Sequence, residues 1–263
     1  MKYFVSLIFF FPFLLQAQEM QPIRDNSFLV EEAFNQEAGV VQHIFLLRLD
    51  DEFRPDLFLF TQEWPLFSDR HQFSYSLPLR GLSSRSGAAY LENLILNYRF
   101  QLLNDEKIFF APRLTAILPV HNKVISSSSS GIEINLPFSI PLNKFWIMHV
   151  NAGGNYLMKK MKGADYEAHT NTSFSGLSFI YQPSNTFNVM NEFLYTVEST
   201  SYANAASSAA VFAWNPGFRA AINFKSGLQI VPGFSVPFQF YNHMTNAGFL
   251  FYLSFEHSLT KAK

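Results

Sequence analysis

Two adjoining stretches of this chain alternate apolar and polar side chains with a period of two, over lengths that leave few folds open. In residues 94–102, Leu94, Leu96, Tyr98, Phe100 and Leu102 fall on one side, and Asn97, Arg99 and Gln101 on the other. Residues 108–120 repeat the pattern, with Ile108, Phe110, Leu114, Ala116, Leu118 and Val120 opposite Arg113 and Thr115. Such alternation marks a β-strand, and Asn104-Asp105-Glu106 between the two reads as the turn of a hairpin. Each strand therefore carries an arginine midway along, opposite a broad apolar surface. One face is wet and the other is not.

The same alternation recurs along the chain. Arg70, Gln72, Ser74 and Ser76 oppose Phe73, Tyr75 and Leu77, and Glu133 and Asn135 oppose Ile132, Ile134 and Leu136. Further on, Glu192 opposes Phe193 and Tyr195, Arg219 opposes Phe218 and Ala220, and Glu256 opposes Phe255. About twelve strands fit between Val40 and His257, most of them near the roughly 9–11 residues that cross a bilayer with tilt. Tight turns rich in Pro, Asn, Asp and Gly alternate with longer polar connections at 80–87, 121–131, 158–171 and 198–208.

Composition separates a membrane barrel from a soluble one. Hydrophobic residues are 48% and charged residues 15% of the chain, against roughly 25% charged in soluble domains. Beyond the first 15 residues no apolar run approaches the roughly 20 needed for a spanning helix. Apolar residues dispersed by alternation are what a transmembrane β-barrel requires. Turning Arg70, Arg99, Arg113 and Arg219 toward lipid would cost about 2–4 kcal/mol each. That total is comparable with a domain's stability. The polar set therefore faces the lumen. A soluble sandwich or lipocalin-like barrel would show the same alternation with its apolar face inward; strand length and aromatics near strand ends, such as Trp64, Tyr98 and Trp214, count against it.

The expected organisation has four parts. Residues 1–17, with Lys2 ahead of a short apolar stretch and Ala17 as a cleavage position, read as a secretory signal. Residues 18–39 read as an N-terminal periplasmic segment, helix-compatible from Phe28 to Gln36, that either leads into the barrel or folds back into its mouth. Residues 40–258 form an antiparallel up-and-down outer-membrane β-barrel, and 259–263 a tail. The fold class is all-β, in the outer membrane of a Gram-negative bacterium, with outer-membrane lipid as the surrounding partner.

Several stretches resemble one family. Residues 28–43, Asn97-Tyr-Arg-Phe100, residues 111–119, Asn215-Pro-Gly-Phe-Arg219 and Gln229-Ile-Val-Pro-Gly-Phe-Ser-Val-Pro237 resemble the MetA-like outer-membrane transporters of the phenol-degradation meta-pathway. This resemblance covers most of the chain after the signal and implies a barrel with an uptake role. Where such proteins commonly continue Leu-Pro with Thr-Gly, this chain has Val120-His121, which implies a different loop there.

Candidate lumen residues are Arg70, Arg99, Arg113, Arg219, Glu133, Glu192 and Glu256, together with Arg48 and Glu63. Their signs nearly balance. This fits either an internal network of ion pairs filling a narrow lumen or a conduction path with fixed charges. The net charge of −1 and the lack of a basic tract set nucleic acid aside. With no cysteine and no histidines at metal-ligand spacing, no metal or cofactor is expected. No nucleophile elbow is present, and no phosphate-binding loop. Three functional readings stand at this point. The first is a passive channel for small, apolar or aromatic solutes. The second is a closed structural or surface-interaction barrel with a plugged lumen, and the third is an outer-membrane hydrolase.

Overall fold

A computed structural model describes residues 23–83, 89–120, 127–161, 167–202 and 205–259. The expected signal region, residue His121 and most of the expected tail lie outside these. Strands β1 (Val40–Leu49), β2 (Pro55–Leu66) and β3 (Ser68–Arg80) are each one continuous stave. The fourth stave is assembled from β4 (Tyr90–Leu91), β5 (Asn93–Phe100) and β6 (Leu103–Asp105), and the fifth from β7 (Ile108–Phe110) and β8 (Arg113–Pro119). Then come β9 (Ser127–Pro141), β10 (Trp146–Met161), β11 (Glu167–Ser184) and β12 (Phe187–Tyr202). The last three staves are β13 (Ala205–Ala220) with β14 (Ile222–Asn223), β15 (Gln229–Ser235) with β16 (Phe238–Tyr241), and β17 (Met244–Ala247) with β18 (Phe249–Ser258).

Every pairing is antiparallel, and the sheet closes on itself. β1 pairs with β2 on one side and with β18 on the other, from Val40↔Ser258 to Leu49↔Phe249. Closure leaves no free edge, which is what a sheet needs where no water can satisfy its backbone. Two of the divided staves break where proline removes a donor. Pro112 separates β7 from β8, and Pro237 separates β15 from β16. Hydrogen bonds such as Val236 N–H to the Pro216 carbonyl (3.0 Å) and Gly248 N–H to the Pro237 carbonyl (3.1 Å) carry the wall across those breaks.

Two of the expected long loops are mostly strand. β10 runs to Met161 and β11 starts at Glu167, while β12 runs to Tyr202 and β13 starts at Ala205. Polar residues with low strand propensity are recruited because each extension is paired with its neighbour, as in Lys160↔Glu167 and Tyr202↔Ala205. Local composition loses to ladder formation.

Alternation sorts the faces as period two requires. On β13, Ala213, Asn215 and Arg219 are buried inward, while Phe212 and Phe218 are exposed outward. Leu114 on β8 and Ile134 on β9 face each other across their ladder, and both are about half exposed on the outside. An outer surface of this kind matches hydrocarbon.

The N-terminal segment departs from expectation. Residues 28–36, read as helix-compatible, form no helix, and residues 23–39 contain no regular secondary structure. Instead the segment enters the lumen, where Ile23, Asp25, Val30, Glu32 and Ala33 are almost fully buried. Its helical propensity is a weak preference that tertiary partners override. Gly39, at φ 77°, turns the chain from the lumen into β1, a conformation a side chain would strain.

The outward register makes a direct prediction. Replacing Ile134 with arginine should destabilise the barrel by about 2–4 kcal/mol, measured by denaturant titration in lipid vesicles, whereas Ile134→Leu should be close to neutral.

Candidate functional site

The lumen site is built around a backbone without partners of its own. An irregular segment inside a barrel leaves its N–H and C=O groups to be satisfied by whatever surrounds them. Here the wall supplies side chains. Glu192 accepts from the N–H groups of both Leu29 and Val30 at 2.9 Å. Asn151 accepts from Glu31 N–H at 2.8 Å and donates to the Glu31 carbonyl at 2.8 Å. Gln101 accepts from Asn35 N–H at 3.0 Å and donates to the Ala33 carbonyl at 2.9 Å. These two side-chain amides stand in for the neighbouring strand that the segment lacks. Ser139 accepts from Ala33 N–H at 2.8 Å, Gln72 from Gln36 N–H at 2.7 Å, and Arg99 donates to the Phe34 carbonyl at 2.7 Å.

Charge fixes the position along the lumen. Arg219, fully buried, donates to the Asp25 carbonyl (2.9 Å) and the Asn26 carbonyl (3.1 Å) and pairs with Glu32 at 2.8 Å. Glu31 pairs with Arg99 at 2.7 Å and Arg113 at 2.9 Å, and Arg113 also pairs with Glu133 at 2.6 Å. Asp25 accepts from Gln42, Tyr252 and Ser254. Burial alone would raise the Glu31 carboxyl, but Arg113 and Arg99 outweigh it and hold it below the usual range. Its contribution to docking is therefore complete above the ordinary carboxylate pKa and is lost only as the pH falls through that lowered value. At Asp25 burial wins, and the carboxyl is raised despite Arg219 and the hydrogen bonds from Ser254 and Tyr252.

Packing completes the seat. Phe28 lies against Tyr252 with ring centroids 5.5 Å apart, over wall positions 217 and 233. A Cβ at Gly217 would come within 2.8 Å of the Phe28 ring, and one at Gly233 within 2.9 Å. Only glycine leaves room for that ring. From the end of the barrel where β1 begins and β18 ends, the termini end, an apolar cluster of Ile23, Phe28, Ile147, Ile180, Met190, Val231 and Leu250 extends up the lumen.

The segment divides the lumen. On the far side from the termini is a cavity of about 350 Å³, lined by Leu46, Leu59, Phe174 and Leu194 together with Thr61 and Arg113. On the termini side, a cavity of about 290 Å³ is lined by Ile23, Phe34, Phe109 and Trp146 among others.

Of the residues singled out from sequence, Arg99, Arg113, Arg219, Glu133 and Glu192 are brought together around the segment. Glu256 is inward and half-buried near the termini, in register with Gln42 and Gln229. Glu63 is buried and accepts from Gln72 at 2.8 Å and Asn26 at 3.2 Å. Arg48 lies toward the opposite end, paired with Asp56 at 2.6 Å. Arg70 is exposed at the termini end and forms no ion pair among the described residues. It follows a tight turn, where the barrel rim lets its side chain reach water.

Sequence reading did not single out Asn151, Ser139, His149 or Gln101 as contacts of the segment. The available signal was Gly217 and Gly233, which lie two residues apart in register on adjoining staves and leave room for the Phe28 ring. Ser139, His149 and Glu32 also form a chain that bears on the hydrolase reading. Ser139 Oγ is 2.7 Å from His149 Nδ1, and His149 Nε2 is 3.9 Å from Glu32. Both Ser139 and His149 are fully buried, and the Ser139 oxygen is occupied by Ala33 N–H. That arrangement grips the segment and leaves no approach for a substrate.

No protein-family model and no curated protein sequence matches this chain. Among solved structures, an outer membrane channel from Pseudomonas putida F1 is similar in fold, with a TM-score of 0.62 at 10% identity over 86% of this chain and 97% of that one. Looser likenesses are to the NanC porin, TM-score 0.47 at 10% identity over 82% and 98% of the two chains. The CymD monoaromatic hydrocarbon channel gives 0.41 at 12% identity over 85% and 89%.

Removing one member of a buried ion pair strands the other, at a cost of about 3–5 kcal/mol. Arg219→Ala should therefore loosen the segment, raising hydrogen exchange at the Leu29 and Val30 amides, while Arg70→Ala should leave their exchange unchanged.

Proposed function

We propose that this chain is a passive outer-membrane channel for small apolar or aromatic solutes, with residues 23–39 as its internal plug. The observation that carries the reading is the placement of one irregular segment between two cavities of about 350 and 290 Å³. It is held by side chains rather than by a strand ladder. A ladder would have made it part of the wall. Side-chain bonds to a coil can be exchanged for water one by one.

The outer cavity favours a solute with an apolar body and one polar end. Leu46, Leu59, Phe174 and Leu194 supply apolar walls, while Arg113 and Thr61 supply hydrogen-bond donors. The strand motifs resembling MetA-like transporters support an uptake role, as does the fold shared with an outer membrane channel from Pseudomonas putida F1. In this reading the chain is exported to the outer membrane after cleavage near Ala17, lipid bathes the outer belt, and movement is diffusive. Arg99, Arg113, Arg219, Glu133 and Glu192 hold the plug, and Arg113 with Glu133 also faces the solute path. The channel catalyses no reaction.

Because the chain has no cysteine, a single engineered pair tests the reading. A Cβ at Gly176 would lie 3.0 Å from Val30 Cγ2, near disulfide range. The double variant Val30→Cys, Gly176→Cys should, when oxidised, lose solute flux in liposome swelling and regain it on reduction. Flux that is the same in both states would overturn the plug's role. A folded wild-type barrel that passes neither ions nor solutes would favour the closed structural barrel, for which the buried Arg219–Glu32 pair is the supporting observation.

A further inference from the structure

The line where the barrel closes carries a pair of histidines on its outer face. Gln42 and Ile44 are buried inward on β1, so His43 between them points out. On β18, Tyr252 and Ser254 are buried inward, which places His257 outward by the same parity. The register sets Val41 opposite His257 and His43 opposite Phe255, so the histidines are diagonal neighbours across the β1–β18 ladder. Both lie within a few residues of the termini end of the barrel. Ser258 and Leu259 beside them are exposed.

Their geometry is specific. The two Nε2 atoms are 3.3 Å apart, with ring centroids at 5.4 Å and planes 20° from parallel. Phe60 flanks His43 at 6.3 Å and 15°, limiting how far that ring can swing. His257 Nδ1 lies 3.3 Å from the Ser258 carbonyl oxygen. With the proton on Nδ1, that contact leaves the Nε2 lone pair directed at its neighbour, as second-shell carbonyls do for metal-binding histidines.

Two imidazole nitrogens bound to one tetrahedral ion at about 2.0–2.1 Å stand about 3.3–3.4 Å apart. The barrel wall holds these two at that spacing. We propose that His43 and His257 form a two-histidine site for a divalent transition-metal ion of the zinc class, stapling the first strand of the barrel to the last. Water at the barrel's rim completes the coordination. Imidazole ligands favour zinc, copper and nickel over magnesium and calcium. Among the described residues no group of three or more His, Asp and Glu is placed to hold a metal, so the chelate has two protein ligands and modest affinity. Without metal, the same atoms share one proton in an N–H···N hydrogen bond. The other outward histidines differ, since His71 and His169 each bond through Nδ1 to a tyrosine hydroxyl, at 2.6 and 2.7 Å, and have no second imidazole in reach of that bond.

The test uses the untagged chain folded in detergent, with zinc in calorimetry and cobalt as a visible-absorption probe of tetrahedral nitrogen ligation. One zinc ion per chain is expected, raising the temperature at which the folded barrel unfolds on a gel. His43→Gln and His257→Gln should each weaken binding roughly tenfold or more and abolish the thermal shift, while His71→Gln changes neither. Unfolding in chelator checks that the variants are folded. No zinc binding by wild type, or binding that survives both substitutions, would overturn the site. Binding without a thermal shift would overturn the staple.

Discussion

A peptide backbone removed from bulk water must hand its donors and acceptors to something, and the interior of this barrel is arranged around that need. Residues 23–39 cross the lumen with neither helix nor strand to pair their amides. The wall answers with Glu192, Asn151, Gln101, Ser139, Gln72, Arg99 and Arg219, each reaching the backbone itself. The polar lumen is thereby specified in detail. Its polar side chains match the coil almost residue by residue.

Charge works with this matching. Arg219 and Arg99 are nearly inaccessible to solvent, and a buried guanidinium is tolerated only when it is paired and hydrogen-bonded. Carboxylates arrive with the segment as Glu31 and Glu32, and carbonyls as Asp25 and Asn26. The wall and the segment therefore depend on each other: without the segment, several arginines would face an empty lumen, and without the arginines two buried glutamates would be stranded.

The outer face obeys a different solvent. Apolar side chains exposed along β8, β9 and β13 and at β18 would be a liability in water, and in hydrocarbon they cost nothing. Closure of β1 onto β18 removes the last unpaired edge. The His43–His257 pair lies on that seam, within a few residues of its end.

Much of this was legible in the sequence. Period-two alternation settled strand identity and twelve staves, and the cost of placing arginine in lipid settled which face is inside; Arg99, Arg113 and Arg219 were assigned to the lumen by that reasoning alone. Residues 28–36 were misjudged because helical spacing and acidic side chains describe only local preference, and a competing hydrogen-bond partner is as many as 187 residues away in the chain. Two of the long polar connections, 158–171 and 198–208, became mostly strand for a similar reason, since pairing with a neighbour is not written in either strand separately. Alternation is a property of one strand and its solvent, so the sequence by itself determined the barrel and its inside. What fills that inside was decided by the tertiary structure, because it depends on which wall side chains the closed sheet brings around one unpaired backbone.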